Sequence, residues 1–123
     1  MQNKQFNIKD RANSFLFAFN GLKVFFRTQH NAWIHLVIAI AVVVLGFVLK
    51  INAYEWCILC FAIGLVFITE MLNTAIEFLS DMVTKDIHPI IKKVKDVSAA
   101  AVLISAVTAV VIGLIVFISK IHL

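Results

Sequence analysis

Proline is almost missing from this chain, with one residue in 123, and glycine is scarce, with four. So few turn formers argue against an all-β fold. Two cysteines cannot build a disulfide scaffold, and a chain this short has no room for several domains. Charge is scarce too: 15% of residues are charged against 62% hydrophobic, and the mean hydropathy is +0.97. Soluble domains carry roughly 25% charged and 45–50% apolar residues, so an ordinary soluble protein and a disordered one are both excluded. The glycines stand singly at 21, 46, 64 and 113, which leaves neither a Walker loop nor a G-x-G-x-x-G turn to read as a nucleotide site. What remains is a small all-α membrane protein.

Three apolar stretches carry that reading, residues 32–49, 56–79 and 97–118. At ~1.5 Å per helical residue a ~30 Å hydrocarbon core needs about 20 residues, so each can span, the first only just. The first fourteen residues are polar and lack the apolar run of a secretory signal, so this segment is expected to be retained. From residue 10 to 30, Phe15, Phe19, Leu22 and Phe26 share one side of a helix while Asn13, Asn20, Lys23 and Arg27 gather on another. This spacing predicts an amphipathic helix lying in the membrane surface, with a cytosolic helix packed on its own protein as the alternative.

The net charge of +4 comes from 11 Lys and Arg against 7 Asp and Glu. Lys4, Lys9, Arg11, Lys23 and Arg27 precede the first span, and Lys85, Lys92, Lys93 and Lys95 lie between the second and third, whereas the opposite side holds only Lys50 and Lys120. The asymmetry predicts a cytoplasmic N-terminus and 80–96 loop, with the C-terminus outside. Orientation thus accounts for the cations, and no nucleic-acid partner is expected. Tyr54 and Trp56 then form an aromatic anchor at the outer interface.

The second span contains the informative feature. Glu70, Asn73, Glu77 and Asp81 fall at i, i+3, i+7 and i+11, so four polar groups share one stripe while Met71, Leu72, Ile76, Phe78 and Leu79 cover the rest. Measured from Trp56, Glu70 lies about 21 Å and Glu77 about 31 Å along the helix, which puts Glu70 inside the cytoplasmic leaflet and Glu77 at its surface. An intramembrane carboxylate costs about 3 kcal/mol or more, so Glu70 is a functional candidate. Lys92, Lys93, Lys95 and Asp96 converge on the same level from the third span, and Lys23, Arg27 and Gln29 from the first segment. Carboxylates, amides and lysines meeting where cytosol meets lipid suit Mg²⁺ and a polyphosphate, because phosphoryl transfer needs chiefly positioned cations and a base.

Other features read more plainly. Cys57 and Cys60 form a C-x-x-C inside an apolar span with no second pair, and are expected to be packing residues. His30, His35, His88 and His122 share no common face, so no structural zinc is expected, and His35 reads as an interfacial hydrogen-bonding group. Ala101, Ser105, Ala109 and Gly113 make a small-residue face on the third span, expected to build an oligomer. Two other functional classes remain open at this point: a small oligomeric proton- or ion-coupled transporter using Glu70, and a non-catalytic scaffold subunit.

The run Glu70-Met71-Leu72-Asn73-Thr74-Ala75-Ile76-Glu77, with Asp81, His88-Pro89, Lys95-Asp96 and Ala99-Ala100-Ala101-Val102-Leu103, resembles the signature of the small prokaryotic diacylglycerol kinases and undecaprenol kinases. Ser14-Phe15-Leu16-Phe17-Ala18-Phe19-Asn20-Gly21 and Asn31-Ala32-Trp33-Ile34-His35 resemble the family's N-terminal helix and first span, so the likeness covers about residues 11–118. It implies a single lipid-kinase domain over 1–123, with a surface helix and three spans per protomer of a homotrimer in the bacterial cytoplasmic membrane. The implied reaction moves the γ-phosphoryl of ATP, with Mg²⁺, to a lipid hydroxyl. Carried over residue by residue, Glu70 is the general base with Asn73 beside it, and Gln29 and Glu77 are metal ligands. Phe17, Gln29, Glu77, Asp86, His88, Lys95 and Asp96 fall at ATP-binding positions, and Asn31, His35, Trp56, Glu70 and Ala99 at lipid-binding ones. Gln29 departs from the family, whose members often carry a second metal-binding Glu there. His88-Pro89 and the following Ile90-Ile91-Lys92-Lys93-Val94-Lys95-Asp96 look more like the undecaprenol branch.

Overall fold

The computed structural model describes residues 5–121, and within them the chain forms four α-helices: α1 (Ile8–Thr28), α2 (His30–Val48), α3 (Ala53–Val83) and α4 (Pro89–Ile121). Lys4 and His122 lie outside the described residues. α2, α3 and α4 are each long and apolar enough to cross a membrane. Most of their large apolar side chains point outward, Phe61 being 81% exposed, while Glu70, Thr74, Ser98 and Ser105 are buried. Such an arrangement suits a hydrocarbon solvent, where apolar surface needs no cover and polar groups do.

α1 starts on a cap, the Asn7 side chain accepting from the Lys9 backbone N–H at 3.0 Å. It ends at Gln29, whose extended backbone breaks the helix before α2. The corner is held by Trp33, whose indole N–H donates to the carbonyl of Phe26 at 2.7 Å, satisfying a C-terminal carbonyl that has no helical partner. Of the apolar side expected for α1, Phe26 alone is covered; Phe15 and Phe19 are exposed, and the buried residue is Phe25. Only the last turns of α1 reach the other helices, so the face through Phe15 and Phe19 stays free.

α3 and α4 are longer than the apolar cores that announced them. At ~1.5 Å per residue they run about 46 and 50 Å, well beyond a ~30 Å hydrocarbon layer. The 80–96 loop expected between the spans therefore shrinks to the connection Thr84–His88, because the charged residues on either side stay helical. Pro89 opens α4, where its missing N–H costs nothing.

The two helices form an antiparallel hairpin whose partners are Lys95 with Asp81, Ser98 with Asn73, Ser105 with Thr69 and Lys120 with Glu55. The small face of α4 thus meets α3 of the same chain at Ser105, where the sequence suggested an oligomer contact. At the far end, Asn52 caps α3 by accepting from the Glu55 N–H at 3.0 Å, while Glu55 ties to Lys120 at 3.0 Å. Ile51, Leu59 and Val116 form a small apolar core there, with Trp56 against it. Trp56 lies directly over Gly46 and meets Phe47 at a tilt of 50°, 4.7 Å between ring centroids, while Tyr54 is exposed. Cys57 and Cys60 are free and exposed, so they lie outside the core that a single chain forms.

Candidate active site

The polar ladder continues a buried stripe. Leu59, Ala62 and Val66 lead up α3 to Glu70 and Thr74 at helical spacing, so the packing that buries the apolar residues buries the carboxylate too. Glu70 is 4% exposed. Its Oε1 lies 2.8 Å from His35 Nε2, a hydrogen bond that ties α2 to α3. His35 is itself seated edge-on against Phe67, at 6.3 Å between ring centroids. Phe67 lies 6.4 Å from Phe26, and Phe26 lies 5.2 Å from Trp33. An aromatic chain therefore runs from the α1–α2 corner to the Glu70 partner.

On the α4 side, Asn73 is held at both ends. Its amide nitrogen donates to Glu77 Oε1 at 3.2 Å, and its carbonyl oxygen accepts from Ser98 at 2.7 Å. One turn deeper, the hydroxyls of Thr69 and Ser105 meet at 2.7 Å, so one donates to the other while the accepting one can donate to a carbonyl of its own helix, Val66 for Thr69 or Val102 for Ser105. Toward the helix ends, Lys95 pairs with Asp81 at 2.8 Å and Lys92 with Asp96 along α4. Depth is thereby graded, from the buried Glu70 through the half-buried Glu77 to the exposed Asp81.

Not every expected site residue joins this cluster. Gln29 sits at the α1–α2 corner with its side chain near Thr28, and no hydrogen bond links it to Glu77 among the described residues. Phe17 and Asn31 are exposed on α1 and α2. Asp86 and His88 belong to the α3–α4 connection, where the Asp86 N–H donates to Thr84 at 3.0 Å and His88 Nδ1 accepts from Ile90 N–H at 3.2 Å. Ala99 is exposed on α4, and Trp56 lies fourteen residues from Glu70 at the far end of the bundle. Ser98, Thr69 and Phe67 were not singled out by the sequence, which marked Ser105 only as part of a small-residue face. Ser98 and Ser105 are seven apart on one stripe of α4, a spacing that marks them as facing α3 once the hairpin is known.

Residues 16–117 match the family described as prokaryotic diacylglycerol kinase. The chain belongs to that family. It is 40% identical over 107 residues to an undecaprenol kinase of Bacillus subtilis, with 87% of each chain covered. It is 38% identical over 101 residues to a diacylglycerol kinase of Synechocystis, covering 81% of this chain and 58% of the relative, and 36% identical over 69 residues to a diacylglycerol kinase of Escherichia coli, covering 56% and 57%. The family members are lipid kinases, and with its three apolar helices this member is a multi-pass membrane enzyme of that class. The family match favours a kinase over the transporter and scaffold readings.

Proposed function

We propose that this protein transfers the γ-phosphoryl of ATP to the hydroxyl of a membrane lipid at the cytoplasmic surface, with Glu70 as the general base. The observation that carries the reading is a buried carboxylate whose partner, His35, lines one end of an apolar cavity. A space of about 620 Å³ between α2, α3 and α4 begins at His35 and passes Val66, Leu59 and Gly113 to Phe117. A lipid chain in this space has its hydroxyl end beside Glu70. The hydroxyl oxygen attacks the γ-phosphorus as its proton passes to Glu70, the bond from the γ-phosphorus to the bridging oxygen breaks, and ADP leaves. Because the transition state is loose, most of the acceleration comes from positioning and charge, with general-base help worth about 10²–10⁴-fold.

The donor set fits a magnesium ion carried in by the nucleotide. Among the described residues no three His, Cys, Asp or Glu side chains cluster, whereas Mg²⁺ commonly takes one or two carboxylates and completes its shell with phosphates and water. Glu77 would hold it, with Gln29 as a neutral oxygen donor in place of the family's usual acid. When bound, the ion offsets charge on the phosphates. Lys95, Asp96, Asp86, His88 and Phe17 serve the nucleotide on the cytosolic side, and Asn31, Ala99 and Trp56 serve the lipid. Asn73 orients Glu77 through the bond already present. α1 lies in the membrane surface with its free phenylalanine face in the headgroup boundary, the N-terminus is cytoplasmic, the C-terminus is outside, and three copies form the working enzyme.

Undecaprenol is the preferred lipid in this proposal, on the His88-Pro89 run and the 87% coverage of the undecaprenol kinase relative. Offering undecaprenol and diacylglycerol separately in mixed micelles with labelled MgATP tests it. More labelled product per enzyme from undecaprenol is the expected result, and a faster reaction on diacylglycerol assigns the other branch.

A further inference from the structure

The Glu70 carboxylate has two oxygens, and only one of them can take the proton of a lipid hydroxyl in line with the phosphorus. We propose that His35 decides which. The inference rests on Glu70 being the general base and adds a positioning residue on a different helix. A general base enters the reaction as a carboxylate, which only accepts hydrogen bonds, so with Glu70 in that role His35 Nε2 carries the hydrogen in the 2.8 Å contact with Oε1. That bond occupies Oε1, fixes the plane of the carboxylate and leaves Oε2 for the substrate. His35 is itself prevented from turning: its ring packs edge-on against Phe67 at 71°, and Phe67 lies one turn before Glu70 on the same helix. The imidazole is thus clamped between an aromatic ring and a carboxylate supplied by successive turns of α3.

The burial values point the same way. The Glu70 side chain is 6% exposed and that of His35 is 21% exposed. Neither Lys nor Arg reaches the carboxylate in the described residues, the nearest acid–lysine pair of the ladder being Asp81 with Lys95. A lysine would hold the charge but leave the carboxylate plane loosely set, because an ammonium has no preferred orientation about its stem. A planar imidazole N–H aims along one direction, as a positioned base requires.

The test replaces His35 three ways and reads kcat and KM separately for ATP and lipid, with the thermal midpoint in detergent as a control. Gln reaches as far as Nε2 and keeps a planar N–H donor. Asn keeps the donor but falls short, and Leu removes it. The expected result is a fall in kcat of about 10- to 100-fold in His35→Leu and His35→Asn, as is common when the group orienting a site residue is lost. Their KM values are expected to stay within about threefold of the parent, and His35→Gln to recover most of the rate. If His35→Leu does not fold, the ranking of Gln above Asn decides. Equal rates for Gln and Asn, or an effect confined to the lipid KM, overturn the proposal and leave His35 as a lipid contact. Should Glu70→Gln keep its turnover, the reading of Glu70 as base fails instead, independently of the His35 series.

Discussion

Glu70 and Glu77 are both carboxylates on one stripe of α3, yet their surroundings give them different work. Glu70 is buried against His35, while Glu77 is half-buried and shares Oε1 with the Asn73 amide, its other oxygen making no hydrogen bond among the described residues. Replacing Glu77 with Gln is therefore expected to raise the Mg²⁺ concentration needed for half-maximal rate as well as to slow turnover, and a magnesium titration at fixed ATP reads both. Changing Gln29→Glu should lower that concentration if Gln29 belongs to the metal shell, and an unchanged titration removes it from the shell. Lys95 and Asp81 separate in a similar way. Their pair is 41% and 51% exposed, so it adds at most about 1 kcal/mol, and Asp81→Asn should barely move the thermal midpoint. Lys95→Ala, by contrast, is expected to raise the KM for ATP.

The helices themselves were legible in the sequence to different degrees. The apolar middles of α2, α3 and α4 are marked by composition, since nothing else explains such long runs with so little charge, Glu70 and Glu77 in α3 being the exceptions. Their ends were not marked, because Asp81, Lys92, Lys93 and Lys95 look like loop residues in sequence but continue the helices as they leave the hydrocarbon. The stripe of Glu70, Asn73, Glu77 and Asp81 could be read from spacing alone; the partners His35 and Ser98 could not, because they depend on the register of α3 against α2 and α4. Gly46 shows that register in a testable form. A methyl group added there would sit 2.7 Å from the Trp56 indole and 3.1 Å from Ile51, closer than either can accept without moving. Gly46→Ala should lower the thermal midpoint by several degrees, in line with overpacking costs of about 1–3 kcal/mol, and an unchanged midpoint would show that α2 and α3 do not meet as described.

At the scale of the whole molecule, one chain gives the polar ladder partners from α2 and α4 but leaves much of its apolar surface, and several of the proposed binding residues, open. Phe17, Asn31 and Ala99 are exposed, and α1 touches the other helices only near Phe25 and Phe26. In the proposed trimer a membrane covers one side and further copies the other, so chemical cross-linking in native membranes is expected to stop at three copies. A fully active monomer would contradict this. The sequence carries a charge asymmetry from which the proposed orientation follows, but a pattern along one chain does not say which exposed face meets lipid and which meets another protomer. The most direct test of the account is transfer of labelled γ-phosphate from MgATP to lipid by the purified protein and by Glu70→Gln, with nucleotide binding measured alongside. The account requires a labelled lipid product that falls by about 10²-fold or more in the variant while ATP affinity holds. Equal product from both proteins would contradict it.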